Sequence, residues 1–262
     1  MKQKNHNGLP VVALVFFGTV FLVSGILLLV YYYQGLRAKQ QTDDVREAYV
    51  KIVGEDRQTA EEVRKETTED TYSKSLQAYN EMKSLNPDYL GWIRIPDTGI
   101  DNPIVQGADN DHYLNHTITG EKNSRGTIFA DKICKAQSAV HILHGHHMKD
   151  GSMFHDLSKF KKKDFLADHK EFYIDFGYGE VTYHIFAVMD VDLTKEGFFN
   201  YVEESDYGDT EAYLDKVVKN AFWHEERESV PKNSHYVLLS TCDYGTEEQR
   251  LVVAGYRVDG EE

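Results

Sequence analysis

Cysteine is almost missing from this chain: 262 residues contain two, Cys134 and Cys242. So few thiols exclude the multi-disulfide framework that holds small secreted domains together. They also lack the clustered spacing of a zinc site. A single bridge between the two stays open. Basic charge is scarce as well, 29 Lys and Arg against 43 Asp and Glu, for a formal charge of −14. That deficit argues against nucleic acid as a partner, because phosphate binding needs a basic surface. Internal repeats and low-complexity segments are lacking, so a repeat array is not the architecture. What is present is apolar and aromatic: 41% apolar residues, with 17 Tyr and 13 Phe, are ample for one sizeable core.

Charge is absent altogether between Leu9 and Tyr33. Val11 to Val30 is almost wholly Val, Leu, Phe, Ile, Gly and Ala, long enough to cross a hydrocarbon core as a helix. Tyr31, Tyr32 and Tyr33 stand where an aromatic belt meets the headgroups. A cleavable signal would have a shorter apolar core and a small-residue cleavage site. The expectation is a short tail over residues 1–8, then a retained transmembrane anchor over residues 9–33. Lys2 and Lys4 before the span nearly balance Arg37 and Lys39 after it, so charge does not decide orientation.

Residues 34–74 read as a charged stalk, solvated and helical, with sparse apolar positions at Val45, Tyr49, Ile52 and Val63. A folded domain is expected over residues 75–262. Leu76, Tyr79, Met82 and Leu85 form one helix face over Ser75–Leu85, which Asn86-Pro87-Asp88 stops. The period then shortens. Eight runs rich in Val, Ile, Tyr and Phe read as strands: Leu90–Ile95, Ile100–Val105, Thr127–Asp131, Val140–Leu143, Glu171–Phe176, Val181–Asp190, His235–Thr241 and Arg250–Val258. They lack regular intervening helices. The predicted fold is therefore mainly β, an eight-stranded closed or nearly closed barrel with a few peripheral helices behind an N-terminal transmembrane helix. Helical insertions are expected at Ser152–Lys163 and Asp209–Trp223.

Cys242 closes the seventh run, in Leu239-Ser240-Thr241-Cys242. A thiol is a useful nucleophile only as thiolate, so it needs a cationic or imidazole partner. Arg250 opens the next run, and a hairpin between the two would set its guanidinium beside the thiol, able to donate to an oxyanion. The same residues also allow a buried structural Cys beside a solvated Arg. His141, His144, His146 and His147 invite a metal reading. Strand alternation turns His141 and His144 to opposite faces, and no HEXXH-like set completes a ligand shell. Gly145 breaks the strand and leaves His146 at a loop entrance, where catalytic groups concentrate.

Together these residues resemble a sortase, most like class B. The resemblance rests on "LSTC" closing a strand, an Arg eight residues later, and "GHHMKDGSMF" about a hundred residues upstream. It extends through "NPDYLGWIRIPDTGIDNPIVQGADNDHYL" and "GTIFAD", from about residue 80 to 258. It implies a sortase-like barrel with catalytic Cys242, His146 and Arg250, and a groove lined by Ser240 and Thr241. The implied activity is that of a membrane-anchored cysteine transpeptidase without a cofactor or metal. Such an enzyme cleaves a C-terminal sorting motif of secreted proteins, forms a thioester, and passes the acyl group to an amine of peptidoglycan or of a pilin lysine. The implied place is the outer face of a Gram-positive cell membrane. A thiol peptidase that only hydrolyses the motif, and a membrane-tethered binding module, are the alternatives. The acidic charge offers no attraction to anionic wall polymers. Cys134, in Ile133-Cys134-Lys135, has no such motif around it and is read as an incidental free thiol.

Overall fold

A computed structural model describes residues 8–54, 69–136, 138–194, 210–242 and 249–258. Residues 1–41 and 42–262 form two compact units. In the first, helix α1 (Gly8–Val53) begins, and its apolar side chains from Val11 to Leu36 are exposed. It is long and apolar enough to cross a membrane.

The second unit is a closed barrel. Its strands are β1 (Tyr89–Arg94), β2 (Asp101–Val105), β3 (Ile128–Ala130), β4 (Val140–Gly145), β5 (Glu171–Asp175), β6 (Glu180–Asp192), β7 (Trp223–His224), β8 (Tyr236–Cys242) and β9 (Gln249–Arg257). The order is β5-β1-β2-β3-β4-β8-β9-β6, and pairing of β5 with β6 closes the ring of eight. Each of the eight expected runs is one of these strands. The short β7 adds to β6 from outside that set. Two pairings are parallel, β2 with β3 and β4 with β8. The others are antiparallel, so the long connections fall where parallel strands demand crossovers.

Three apolar clusters explain why these strands read as near-continuous hydrophobic runs: both faces are covered. The barrel interior packs Ile93, Ile104, Ile128, Leu143, Ile174, Val237, Leu239 and Val253, plugged by Phe154, Leu157 and Phe160. Outside β4, β6, β8 and β9, helix α4 (Thr210–Asn220) lays Tyr213, Leu214 and Val217 over Ile142, Leu238, Val252 and Ala254. Outside β1, β2 and β3, Met82 and Ala78 of helix α2 (Glu69–Leu85) pack with Tyr49, Trp92, Val105 and Phe129.

Two helical expectations change in detail. Ser152–Lys163 is a 3-10 turn, His155–Lys161, followed by a short helix α3 (Lys163–Asp168). Lys162 is extended (φ −94°, ψ 122°), which interrupts the α-helical ladder between them. The predicted helix Asp209–Trp223 is α4, which ends at Asn220, and Trp223 joins β7 instead; Asp209 itself lies outside the described residues.

The stretch expected to be a solvated stalk also does more than separate. Within the second unit, Val45, Tyr49 and Val50 are buried. Tyr49 stacks on Trp92 with centroids 4.1 Å apart, and its hydroxyl donates to Asp175 at 2.8 Å. Arg46 and the Trp92 indole N–H both donate to Asp101, each at 2.6 Å. Asp175 also accepts from Ser75 and from the N–H groups of Gly177 and Gly179. A buried carboxylate so surrounded has its lone pairs satisfied, which is the condition for keeping it there. Residues 55–68 lie outside the described residues.

Candidate active site

The candidate site is a row across three strand ends. In the parallel β4–β8 ladder His144 pairs with Ser240 and Gly145 with Thr241. One step further along both strands come His146 and Cys242. In the antiparallel β8–β9 ladder Ser240 pairs with Val252, and Cys242 pairs with Arg250. Period-two alternation then sets positions 242 and 250 on one face of the sheet, and His146 follows the end of β4 beside them. It is the face whose earlier positions, Ile142, Leu238 and Val252, lie under α4. The sequence expectation of a hairpin joining Cys242 to Arg250 is met in register. For Cys242 the description is of its backbone, and residues 243–248 lie outside the described residues.

His146 leaves the strand immediately after Gly145. Gly145 allows close approach: a Cβ there would fall 2.6 Å from the Phe154 ring. The backbone of His146 is held as well, its carbonyl accepting the Phe154 N–H at 3.0 Å. The ring is fixed by the Leu114 carbonyl, 2.7 Å from Nε2. A carbonyl can only accept, so Nε2 carries the proton and Nδ1 is the basic nitrogen of the neutral ring. Leu114 ends a 3-10 turn, His112–Leu114, and Asp109 just before it accepts the N–H groups of Asp111 and His112 at 2.9 and 2.8 Å. Those N–H groups hold the Asp109 carboxyl below the usual range.

The other histidines each have separate work. His144 Nε2 lies 3.0 Å from Asp131. Burial would raise the Asp131 pKa, but hydrogen bonds from His144, Asn110 and the Ile133 N–H hold it below the ordinary value. His141 donates to the Lys135 carbonyl at 3.0 Å, and burial pushes its pKa down. His147 meets His155 edge to face at 4.7 Å. Among the described residues, no group of three or more His, Cys, Asp or Glu is placed to hold a metal ion.

Cys134 is a free, buried thiol, so the bridge left open by the sequence is not formed. Its Sγ accepts the Ile142 N–H at 3.4 Å, and burial pushes its pKa up to about 12. A thiol in that state is a small core group, not a nucleophile.

Arg250 is the second residue of β9, and its Nη1 donates to the Gln249 carbonyl at 3.2 Å. Ser240 and Thr241 are each 1% exposed. Ser240 shares the face of Cys242, while Thr241 alternates toward the interior side of Leu239. Sequence reasoning missed the Leu114 carbonyl, since no side-chain type announces a backbone acceptor.

Comparison with known proteins adds the decisive observation. Residues 93–258 match the Sortase domain family model. The chain belongs to the sortase family. It is 34% identical over 259 residues to Sortase B of Listeria monocytogenes, covering 97% of this chain and 98% of that one. A structure of Bacillus anthracis sortase B in complex with AAEK2 superposes with a TM-score of 0.68 at 30% identity, covering 86% of this chain and 98% of that one. The Staphylococcus aureus sortase B–substrate complex gives a TM-score of 0.71 over 87% of this chain and all of that one; at 21% identity it speaks for the fold. This sortase is of class B, and sortases are cysteine transpeptidases.

Proposed function

We propose that this sortase cleaves a C-terminal sorting motif of secreted proteins and transfers them to an amine. The observation that supports the reading is the register: Cys242 pairs with Arg250 across β8 and β9, and His146 follows directly after Gly145, the last β4 residue paired with β8. Cys242 attacks the carbonyl carbon of the scissile bond as thiolate, forming a C–S bond and an oxyanion. As the C–N bond breaks, Nδ1 of His146 passes to the departing amine the proton it took from the Cys242 thiol, leaving a thioester on Cys242. The incoming amine attacks that thioester, loses a proton to His146, and expels the thiolate with the new amide formed. Arg250 donates to the oxyanion or to the substrate carbonyl through its planar fork. Ser240 and Thr241, the expected groove positions, are buried at the end of β8 and support the strand that carries Cys242.

The acceptor is an amine of peptidoglycan or of a pilin lysine. The apolar part of α1 anchors the enzyme in the cell membrane as a single span, with the catalytic domain outside. The test is a screen of quenched sorting peptides against the soluble domain, with and without an added amine. An amide-linked adduct supports transfer. Free acid alone, whatever the amine concentration, would mark a thiol peptidase.

A further inference from the structure

Gly126 lies far from Cys242 in sequence and carries no chemistry, yet it meets the backbone that holds His146. It closes a turn whose N–H donates to Asn123 O at 3.1 Å, and Asn123 N–H in turn donates to Asn115 O at 2.8 Å. Its φ is +62°, a region that L side chains rarely adopt. A Cβ placed on it would lie 2.2 Å from the Tyr113 carbonyl oxygen, 2.8 Å from the Leu114 carbonyl oxygen and 2.9 Å from the Leu114 carbonyl carbon.

Neither carbonyl can step aside without loss. Tyr113 O accepts the Thr127 N–H at 2.9 Å, and Leu114 O accepts Nε2–H of His146 at 2.7 Å. Tyr113 is pinned from its other end, where its hydroxyl donates to Asp88 at 2.8 Å and accepts from Asn86 at 2.9 Å. Backbone does not swing away as the tip of a flexible side chain does. Relieving a 2.2 Å contact moves the turn by about 1 Å, since packed heavy atoms rest at roughly 3.5 Å and tolerate only small overlaps.

We propose that Gly126 is a positioning residue for the reaction: by having no side chain, it lets the Leu114 carbonyl sit where it fixes the ring orientation and tautomer of His146. The proposal rests on the reading of His146 as the acid and base. It assigns to a glycine a part in catalysis that acts wholly through another residue.

The experiment compares Gly126→Ala with Gly120→Ala. Gly120 has φ +81° but open space around its would-be Cβ, so it shares the backbone strain and lacks the collision. Steady-state kinetics are measured beside the ¹⁵N spectrum of the His146 imidazole across pH. The expected result for Gly126→Ala is a loss of tenfold or more in kcat, approaching the 10² that about 1 Å of misplacement can cost. KM stays within about twofold, and His146 gives up its single Nε2–H tautomer. Gly120→Ala keeps both the tautomer and kcat within about threefold. If Gly126→Ala does not fold, Tyr113→Phe loosens the same turn by removing its hydroxyl anchor, and the same loss of tautomer is expected. A folded Gly126→Ala, or Tyr113→Phe in its place, with an unchanged His146 spectrum and near-normal kcat overturns the proposal. Turnover retained in His146→Ala overturns the acid–base reading instead, and the imidazole spectrum still decides whether Gly126 sets the ring.

Discussion

Cys242 and Arg250 face each other in the last rung of the β8–β9 ladder, so the backbone that ends one strand and begins the next brings them together. A side-by-side pair at that rung has Cβ atoms about 5 Å apart, within reach of a long guanidinium. Two roles for that guanidinium give different results when it is replaced. A planar fork that holds an oxyanion is not reproduced by an ammonium, so Arg250→Lys is expected to keep the fold yet lose about 10²–10³ in kcat. A purely electrostatic role would let Lys substitute and make only Arg250→Ala severe. Measuring kcat of both variants with the pH dependence of Cys242 alkylation separates them; near-normal turnover in the Lys variant removes the fork.

The two thiols are expected to differ in reactivity. Burial holds Cys134 protonated, with a pKa of about 12, so an alkylating reagent near neutral pH has no thiolate to attack there. Peptide mapping of the folded enzyme should show one adduct, on Cys242, and Cys134→Ala should retain turnover. An adduct on Cys134 in the folded protein contradicts this.

Substitution of the histidines one at a time should give unequal losses. His146→Ala is expected to abolish turnover, whereas His144→Ala and His147→Ala keep most of it. His144 is occupied with Asp131, and His147 packs against His155. Equal loss in all three, restored by zinc, would favour a metal site instead.

The eight barrel strands were legible because each combines β-branched and aromatic residues with flanking turn chemistry, and burial on both faces lengthens the apolar runs. The two-residue β7 carries no such signal. In Ser152–Lys163 the apolar spacing was visible, but a 3-10 turn broken at Lys162 shares that spacing with an α-helix. Val45 and Tyr49 stood out in the charged segment. The partners of Tyr49, Trp92 and Asp175, are remote in sequence, so the segment read as solvated. The candidate site followed the same rule: Cys242, His146 and Arg250 stand out as candidates by residue type, while the Leu114 carbonyl and the space beside Gly126 are backbone features that no residue name encodes.

Those remote contacts set where the chain can be cut. A protein beginning near residue 35 is expected to be soluble and to cleave peptide, because it keeps Arg46, Tyr49 and Ser75 on the barrel. Beginning at residue 75 removes the Tyr49 stack and leaves buried Asp175 short of a donor. Tyr49→Ala mimics that loss and should lower unfolding free energy by about 3 kcal/mol in denaturant titration. A change below about 0.5 kcal/mol would show that the packed segment is dispensable.

Acid should destabilise the fold in two stages. The folded-state pKa of His141 is depressed, first by burial, so its stabilising contribution is full above the unfolded value of about 6.5. That contribution is lost as pH falls through the lower folded value. Asp131 and Glu225 are depressed too, their hydrogen bonds and charged partners outweighing burial, and they act below about pH 4. Thermal melts from pH 7 to 3 should show His141→Phe flattening the first stage alone. An unchanged slope as pH falls below about 6.5 in that variant contradicts the assignment.

The role proposed for Cys242 is to carry the acyl group between a peptide and an amine. Intact-mass and peptide-mapping analysis of enzyme mixed briefly with a cleavable sorting peptide tests it directly. The expected result is the acyl portion of the peptide as a thioester on Cys242, absent in Cys242→Ala, and discharged as an amide when amine is added. Turnover surviving in Cys242→Ala, or an acyl group found on another residue, would contradict it.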